Sequence, residues 1–118
     1  VYKRQALGHS QDGDPWEIGV RSPDDPSRLA ATLPLADGAV ATSGDYLRYF
    51  QHGGRRYHHL LDPADAAPRQ TGTRTLTVAA PTCLEADAGA TAVFGMEPQR
   101  GARVLASAGT EVRIAHTG

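Results

Sequence analysis

The sequence predicts one small α+β domain, built mostly from antiparallel strands with one well-defined helix. The chain has 118 residues, which is enough for at most one domain. Short runs of β-forming residues recur along it, and 13 glycines and 8 prolines separate them. A helix-capping pattern occurs at one place, from Thr82 to Glu85. Strands in succession beside a single helix, with no internal repeat, are typical of the α+β class.

The first part of the chain predicts three strands. The segment Trp16–Arg21 alternates in character, which is typical of a strand, and the prolines that follow it predict a loop. The segment Leu29–Leu35 is weakly strand-like, and Pro34 indicates a sheet edge or a strand end. The short apolar segment Ala39–Ser43 is the third predicted strand.

A hairpin is predicted next, because two runs rich in aromatic residues flank a pair of glycines. The runs are Tyr46–Gln51 and Arg55–Leu61, and the turn lies at Gly53-Gly54. Asp62-Pro63 ends the hairpin, and residues 64–72 show no periodicity and are predicted as a loop.

One helix is predicted over about residues 82–95. Thr82 fits its N-cap and Glu85 the third helical position, the pairing of a capping box. Gly95 and Pro98 are expected to end it. The remaining predicted strands are Thr75–Ala79, Arg103–Ala106 and Glu111–Ala115.

Composition excludes several classes of protein. With 12 Lys+Arg and 13 Asp+Glu, the net charge is -1, which argues against nucleic acid as the main partner. The sequence has no apolar run of the roughly 18 to 20 residues that a membrane helix needs. Hydrophobic residues make up 40%, too many for a disordered chain. The single cysteine, Cys83, excludes an internal disulfide and argues against a zinc cluster.

The opening residues Val1–Gln5 are unlike the rest of the chain. They read like the translated end of a sequencing adapter, and they contain Lys3, the one lysine beside eleven arginines. The chain also lacks an initiator methionine, its only methionine being Met96. We therefore expect residues 1–5 to be foreign and residues 6–118 to be the C-terminal part of a longer domain.

The predicted helix carries a candidate metal site. Asp87 and Thr91 are four residues apart, so both face the same side of the helix, among alanines and a glycine. A carboxylate and a hydroxyl oxygen on one face could hold Mg²⁺, which prefers oxygen ligands. The alternative is a helix of small residues packed on a sheet, with Asp87 at an exposed edge.

The end of the hairpin carries a candidate acid or base. Histidine exchanges protons near neutral pH, and in an alternating strand His58 and His59 face opposite sides, so only one of them can serve a given site. Asp62 could orient the imidazole of His59 or cap the turn before Pro63. The alternative is a pair of structural histidines followed by a turn.

Two further features can be interpreted either as functional or as purely structural. Thr42-Ser43-Gly44 could offer hydroxyls and a backbone N–H to a phosphate, or could simply be a strand end with a bulge glycine. Cys83 could be a nucleophile at a helix N-terminus, but it has no histidine partner in sequence and is expected to pack as a small apolar residue.

Four motifs, taken together and in their order along the chain, favour the functional interpretations over the structural ones. They are Ala-Thr-Ser-Gly-Asp-Tyr at 41–46, His-Leu-Leu-Asp-Pro at 59–63, Thr-Val-Ala-Ala-Pro-Thr at 77–82 and Ala-Asp-Ala-Gly-Ala-Thr-Ala at 86–92. Together they resemble the C-terminal half of the ApbE family, the FAD:protein FMN transferases. The resemblance covers roughly residues 14–118.

The resemblance implies a reaction, cofactors and partners. The family transfers FMN from FAD to a threonine hydroxyl of an acceptor flavoprotein, with Mg²⁺ and with release of AMP, and some members hydrolyse FAD to FMN and AMP. No nucleic-acid partner is implied. Membrane attachment is expected only through an anchor outside these residues. The implied location is the cell envelope, with the cytoplasm as the alternative. The implied roles are metal binding by Asp87 and Thr91, proton acceptance by His59, and flavin-nucleotide binding by Thr42, Ser43, Gly44, His59 and Asp62.

This sequence departs from the family pattern after Asp62-Pro63. The family continues there with a basic residue and then Thr-Gly, whereas this chain has residues 64–67, Ala-Asp-Ala-Ala. The carboxylate of Asp65 could weaken binding of the anionic FAD, or the loop could be realigned onto Thr71-Gly72. A flavin-binding homologue with impaired catalysis is therefore a further alternative. Without the other half of the domain, we expect this chain alone to be inactive, with open strand edges.

Overall fold

In the computed structural model of the chain, residues 2–46, 48–108 and 113–117 are described, with side chains for 3–46 and 48–108. The strands are β1 (Tyr2–Ala6), β2 (Trp16–Arg21), β3 (Leu29–Leu35), β4 (Gly38–Gly44), β5 (Tyr49–His52), β6 (Arg55–His58), β7 (Thr75–Ala80) and β8 (Arg113–Thr117). The helices are α1 (Cys83–Ala92) and α2 (Pro98–Ser107). A four-stranded antiparallel sheet has the order β1-β4-β7-β8, and β2-β3 and β5-β6 form two smaller antiparallel sheets. The predicted α+β class is confirmed.

The pair β4–β7 forms the centre of the main sheet. Every residue of β7 is buried, as expected for a central strand that is covered on both faces. Thr42 lies opposite Thr77 in the register, and their hydroxyl oxygens are 2.8 Å apart. Helix α1 packs on these two strands. The larger of the two core clusters comprises Leu60, Leu76, Val78, Ala90, Val93, Phe94 and Leu105.

Helix α1 begins with the capping box that the sequence predicts. The Thr82 hydroxyl accepts a hydrogen bond from the Glu85 N–H at 3.2 Å, and the Glu85 carboxylate accepts one from the Thr82 N–H at 3.1 Å. The helix ends at Ala92, and Gly95 follows with a φ of +77°, a conformation that favours glycine. The prediction of a helix over about 82–95 is confirmed.

The prediction of a strand over Arg103–Ala106, and with it the prediction of only one helix, is wrong. These residues lie in α2, which Glu97 caps by accepting hydrogen bonds from the N–H groups of Gln99 and Arg100 at 3.2 and 3.1 Å. Pro98 occupies the first helical position, where its missing N–H costs nothing. The buried residues Gly101 and Leu105, four apart, form the inner face. Pro98, which the sequence pattern assigned to the end of α1, instead begins α2.

The other predicted strands are present, with small changes in their bounds. Of the last one, Glu111–Ala115, residues 111 and 112 lie outside the described residues, and β8 begins at Arg113. Strand β1 includes residues 2–5 of the segment expected to be foreign, and Tyr2–Ala6 pair with β4. This pairing does not reveal where residues 1–5 come from, so their foreign origin stays a prediction.

The hairpin β5–β6 turns at the predicted glycines. Gly53 and Gly54 have φ angles of +58° and +74°, the left-handed conformations of a two-residue hairpin turn. The rings of Phe50 and Tyr57 stack across the two strands, with centroids 5.1 Å apart. The strands of the hairpin are shorter than predicted, because Leu60 leaves the hairpin and enters the core.

Within the described part of the chain, neither helix is long and apolar enough to cross a membrane.

We expect Phe94→Ala to lower the free energy of unfolding by about 3 to 5 kcal/mol, because it empties a fully buried position in the larger core cluster. Leu84→Ala in α1 is the control, since Leu84 is 79% exposed, and its effect should stay within about 0.5 kcal/mol. Urea unfolding of both variants measures the difference. Equal effects would contradict this assignment of the core.

Candidate functional site

The structure brings the end of β4 next to α1. The hydroxyl oxygens of Ser43 and Thr91, 48 positions apart in the sequence, are 3.3 Å apart. Ser43 is buried, while Thr91 lies at the exposed side of the helix. Two of the motifs that the sequence analysis singled out therefore meet at one place.

Asp87 lies one helical turn before Thr91 and forms an ion pair with Lys3. Its carboxylate is 2.8 Å from the ammonium of Lys3, with the two side chains 30% and 49% exposed. The carboxylate of Asp87 and the hydroxyl of Thr91 are oxygen donors of the kind that a hard divalent cation such as Mg²⁺ prefers. The described residues contain no group of three or more His, Cys, Asp and Glu that could complete such a site. Further oxygen ligands would have to come from substrate phosphates, water or other parts of the protein.

The two adjacent histidines have different environments, although β6 ends at His58 and His59 therefore lies outside the strand in which alternation was expected. His58 is buried, and one of its ring nitrogens, Nε2, lies 2.9 Å from the Arg69 carbonyl while Nδ1 accepts the Leu60 N–H at 3.2 Å. Its ring also meets the edge of Phe94, with centroids 6.2 Å apart. These contacts identify His58 as a structural residue, in the tautomer with the proton on Nε2.

His59 is exposed, and its Nδ1 lies 3.4 Å from the Arg48 carbonyl oxygen. If Nδ1 carries the proton, it donates to that oxygen, and Nε2 then has a lone pair. Among the described residues, nothing hydrogen-bonds to Nε2. His59 therefore presents an accessible proton acceptor at the end of the hairpin.

Asp62 caps its own turn. Its carboxylate accepts the Ala64 N–H at 2.9 Å, and its backbone bonds to Ala66 and Ala67, both at 2.8 Å. No hydrogen bond between Asp62 and His59 occurs in the described part of the structure, so of the two interpretations of Asp62 the geometry favours the turn cap. Asp65 closes the same loop by accepting the Ala67 N–H at 2.9 Å. The sequence that departs from the family pattern thus forms an ordered turn.

The other candidate residues make close contacts within the fold. Thr42 pairs with Thr77 across the sheet, and Cys83 packs beside a cluster of buried alanines. Gly44 lies so close to its neighbours that a Cβ atom there would be 3.0 Å from the Tyr46 ring and 3.2 Å from the Arg74 carbonyl oxygen. A side chain at this position would push apart the two segments that flank the strand end.

Sequence reasoning missed Asp45, which directly follows β4. Its side chain is 11% exposed, and its two oxygens bind Arg74 at 3.0 Å and Arg56 at 3.1 Å. The sequence carries no spacing that would indicate this, because the arginines lie 29 and 11 positions away.

The geometry agrees with comparisons to known proteins. The sequence profile of the ApbE family matches residues 4–114. The chain belongs to the ApbE family. A curated relative from Vibrio cholerae, named FAD:protein FMN transferase, is 37% identical over 98 residues, which are 82% of this chain and 29% of that protein.

Solved structures of ApbE proteins share the fold. The ApbE protein of Thermotoga maritima superimposes with a TM-score of 0.77 at 36% identity, covering 92% of this chain and 36% of that one. The flavinyl transferase ApbE of Pseudomonas stutzeri matches with a TM-score of 0.68 at 31% identity, covering 98% and 36%. The chain therefore spans about a third of the length of the ApbE proteins it matches. The resemblance inferred from the four motifs is confirmed.

We expect the two histidines to differ in their effect on stability. His58→Ala should lower the free energy of unfolding by about 1 to 3 kcal/mol, because it leaves buried backbone groups without partners. His59→Ala should change it by less than about 0.5 kcal/mol, since the side chain is exposed. Urea unfolding of both variants checks this, and a reversed order would contradict the assignment of His58 as structural.

Proposed function

We propose that the protein containing this chain is an Mg²⁺-dependent FAD:protein FMN transferase. It would transfer FMN from FAD to a threonine hydroxyl of an acceptor flavoprotein and release AMP. The observation that carries the proposal is the contact of Ser43 with Thr91, because it joins the segment proposed for the nucleotide to the helix proposed for the metal. The names of the relatives support the same reaction class.

Asp87 and Thr91 would hold the metal ion. When bound, Mg²⁺ neutralises negative charge on the pyrophosphate of FAD. The Lys3 ammonium lies against the same carboxylate, and a half-exposed ion pair of this kind contributes only about 0 to 1 kcal/mol. Such a pair can give way to a divalent cation.

His59 would accept the proton of the threonine hydroxyl at Nε2. The threonine oxygen forms a bond to the phosphorus of FMN, the bond from that phosphorus to the AMP oxygen breaks, and AMP leaves with the electron pair. In the tautomer with the proton on Nδ1, the imidazole donates to the Arg48 carbonyl oxygen and Nε2 is available for the proton.

The segment 42–44 would line the flavin-nucleotide pocket. Ser43 directs its hydroxyl toward α1, and Gly44 lets the chain pass close to Tyr46. Asp62 would act from a distance, by holding the turn that follows His59. For the location of the protein we propose the cell envelope, with the cytoplasm as the alternative.

A second reaction, hydrolysis of FAD to FMN and AMP, would use the same residues. The exposure of His59 favours this alternative, because water can reach the imidazole as easily as a threonine hydroxyl. The Asp65 carboxylate favours a third case, a homologue that binds flavin without catalysis, if its charge repels the phosphates.

One experiment separates the three. The longest reading frame that contains this chain, called the full-length protein below, is incubated with FAD, Mg²⁺ and a flavoprotein acceptor domain. Mass spectrometry then measures FMN added to the acceptor, free FMN and AMP. An adduct that disappears with a chelator supports the transferase. Free FMN and AMP without adduct support hydrolysis, and bound FAD without either product supports the flavin-binding homologue.

We expect Asp87→Asn in the full-length protein to reduce Mg²⁺-dependent turnover at least about 100-fold, because it removes the charged metal ligand. The melting temperature should stay the same, since Asp87 is partly exposed. Leu84→Ala on the same helix is the control. Turnover that remains equal to that of the control would remove the metal assignment.

We expect His59→Ala to slow transfer by about 100-fold to 10,000-fold, the usual contribution of a general base. The dissociation constant of FAD should rise by a much smaller factor than the rate falls, because the main role proposed for the imidazole is to accept the proton of the acceptor hydroxyl. His52→Ala, an exposed histidine of the same hairpin, is the control. An unchanged transfer rate in the His59 variant would exclude the base role.

A further inference from the structure

A buried carboxylate connects three separate pieces of the chain. Asp45 directly follows β4, Arg56 lies in β6, and Arg74 precedes β7. Each carboxylate oxygen of Asp45 takes one guanidinium, at 3.1 Å for Arg56 and 3.0 Å for Arg74. The Asp45 N–H also donates to the Arg74 carbonyl oxygen at 3.1 Å. Asp45 is thus joined to Arg74 through both its side chain and its backbone.

The two arginines depend on Asp45 to different degrees. Arg74 has a second partner, Asp24, at 3.4 Å, but that carboxylate is 74% exposed and binds weakly. Arg56 lies over the Tyr49 ring, with its guanidinium carbon 4.5 Å from the ring centre, and Asp45 is the one carboxylate bound to it among the described residues. Replacing Asp45 by a neutral residue would leave two partly buried cations without their shared anion, which is costly.

The hairpin needs such an anchor. All residues of β5 are exposed, so the hairpin buries little of its own surface against the main sheet. Arg56 ties one strand of the hairpin to Asp45, and the buried His58 holds the end of that strand. His59 follows immediately. The hold on β6 is therefore one of the contacts that set the position of the imidazole, beside the buried neighbours His58 and Leu60.

Asp45 also adjoins the part of the proposed site that would bind the flavin nucleotide. It directly follows the segment 42–44, whose Ser43 contacts Thr91. A single carboxylate thereby links the segment proposed for the flavin nucleotide to the hairpin that carries the proposed base.

We propose that Asp45 is a positioning residue, which fixes the β5–β6 hairpin so that His59 keeps a constant place relative to the segment 42–44. The inference rests on the proposed function. A misplacement of a reacting group by about 1 Å can reduce a rate about 100-fold without changing the affinity for the substrate. Asp45 acts through Arg56 and the hairpin and does not touch the reacting atoms.

The test compares Asp45→Asn with Asp24→Asn in the full-length protein. Both substitutions remove one carboxylate charge from a partner of Arg74, but only the first releases Arg56. We expect Asp45→Asn to slow transfer about 10-fold to 100-fold, with the dissociation constant of FAD changed by less than about twofold. Hydrogen exchange of the amides of residues 49–58 should rise about tenfold or more. Asp24→Asn should change none of these by more than about twofold.

A double-mutant cycle tests the connection to the hairpin. Arg56→Gln should reproduce the effects of Asp45→Asn, and the double variant should be no worse than either single variant, because both break the same link. Arg56 is the more exposed partner, so its variant also keeps the test valid if Asp45→Asn fails to fold. Asp45→Glu, which keeps the charge, should recover part of the rate.

Two results would overturn the proposal. One is unchanged hydrogen exchange of the hairpin in both variants. The other is a loss of FAD affinity equal to the loss of rate, since Asp45 would then act on the bound flavin. Failure of the proposed function is distinguishable, because the unmodified protein would then show no transfer, while hydrogen exchange would still report whether Asp45 holds the hairpin.

Discussion

The close packing of α1 on β4 and β7 is the contact on which the rest of the site depends. Small side chains permit it, in a cluster formed by Ala39, Ala41, Ala80 and Ala86. Because these residues bring the helix close to the sheet, the Thr91 hydroxyl reaches Ser43 at the end of β4. Gly89 faces both neighbours of the helix, since a Cβ atom there would lie 3.5 Å from Val78 of β7 and 3.0 Å from Leu105 of α2. A larger residue in this interface would separate the proposed metal ligands from the proposed nucleotide segment.

Charge serves different purposes at the two carboxylates of the site. The Lys3–Asp87 pair is partly solvated, so its contribution to stability is small and its carboxylate can exchange one cation for another. The Asp45 carboxylate is 11% exposed and binds two arginines, so its removal would be strongly destabilising. The first arrangement suits a group that binds a ligand, and the second suits a group that holds structure in place.

The two adjacent histidines divide one residue type between structure and proposed chemistry. Strand β6 ends at His58, and His59 is the first residue after it. His58 enters the core and uses both ring nitrogens in hydrogen bonds, while His59 faces outward with Nε2 accessible. The ordered turn at Asp62 follows directly. Its formation shows that the unusual sequence at residues 64–67 is compatible with the local fold.

The sequence by itself determined the features that depend on neighbouring residues: the capping box at Thr82 and the glycine turn of the hairpin. It failed at Arg103–Ala106, because a short apolar segment fits a strand or a helix equally well when its capping residues are overlooked. Only the tertiary structure decided that Ser43 meets Thr91 and that Asp45 binds Arg56 and Arg74. These contacts join residues far apart in the chain, and their geometry follows from how helix and sheet pack, which local patterns do not encode.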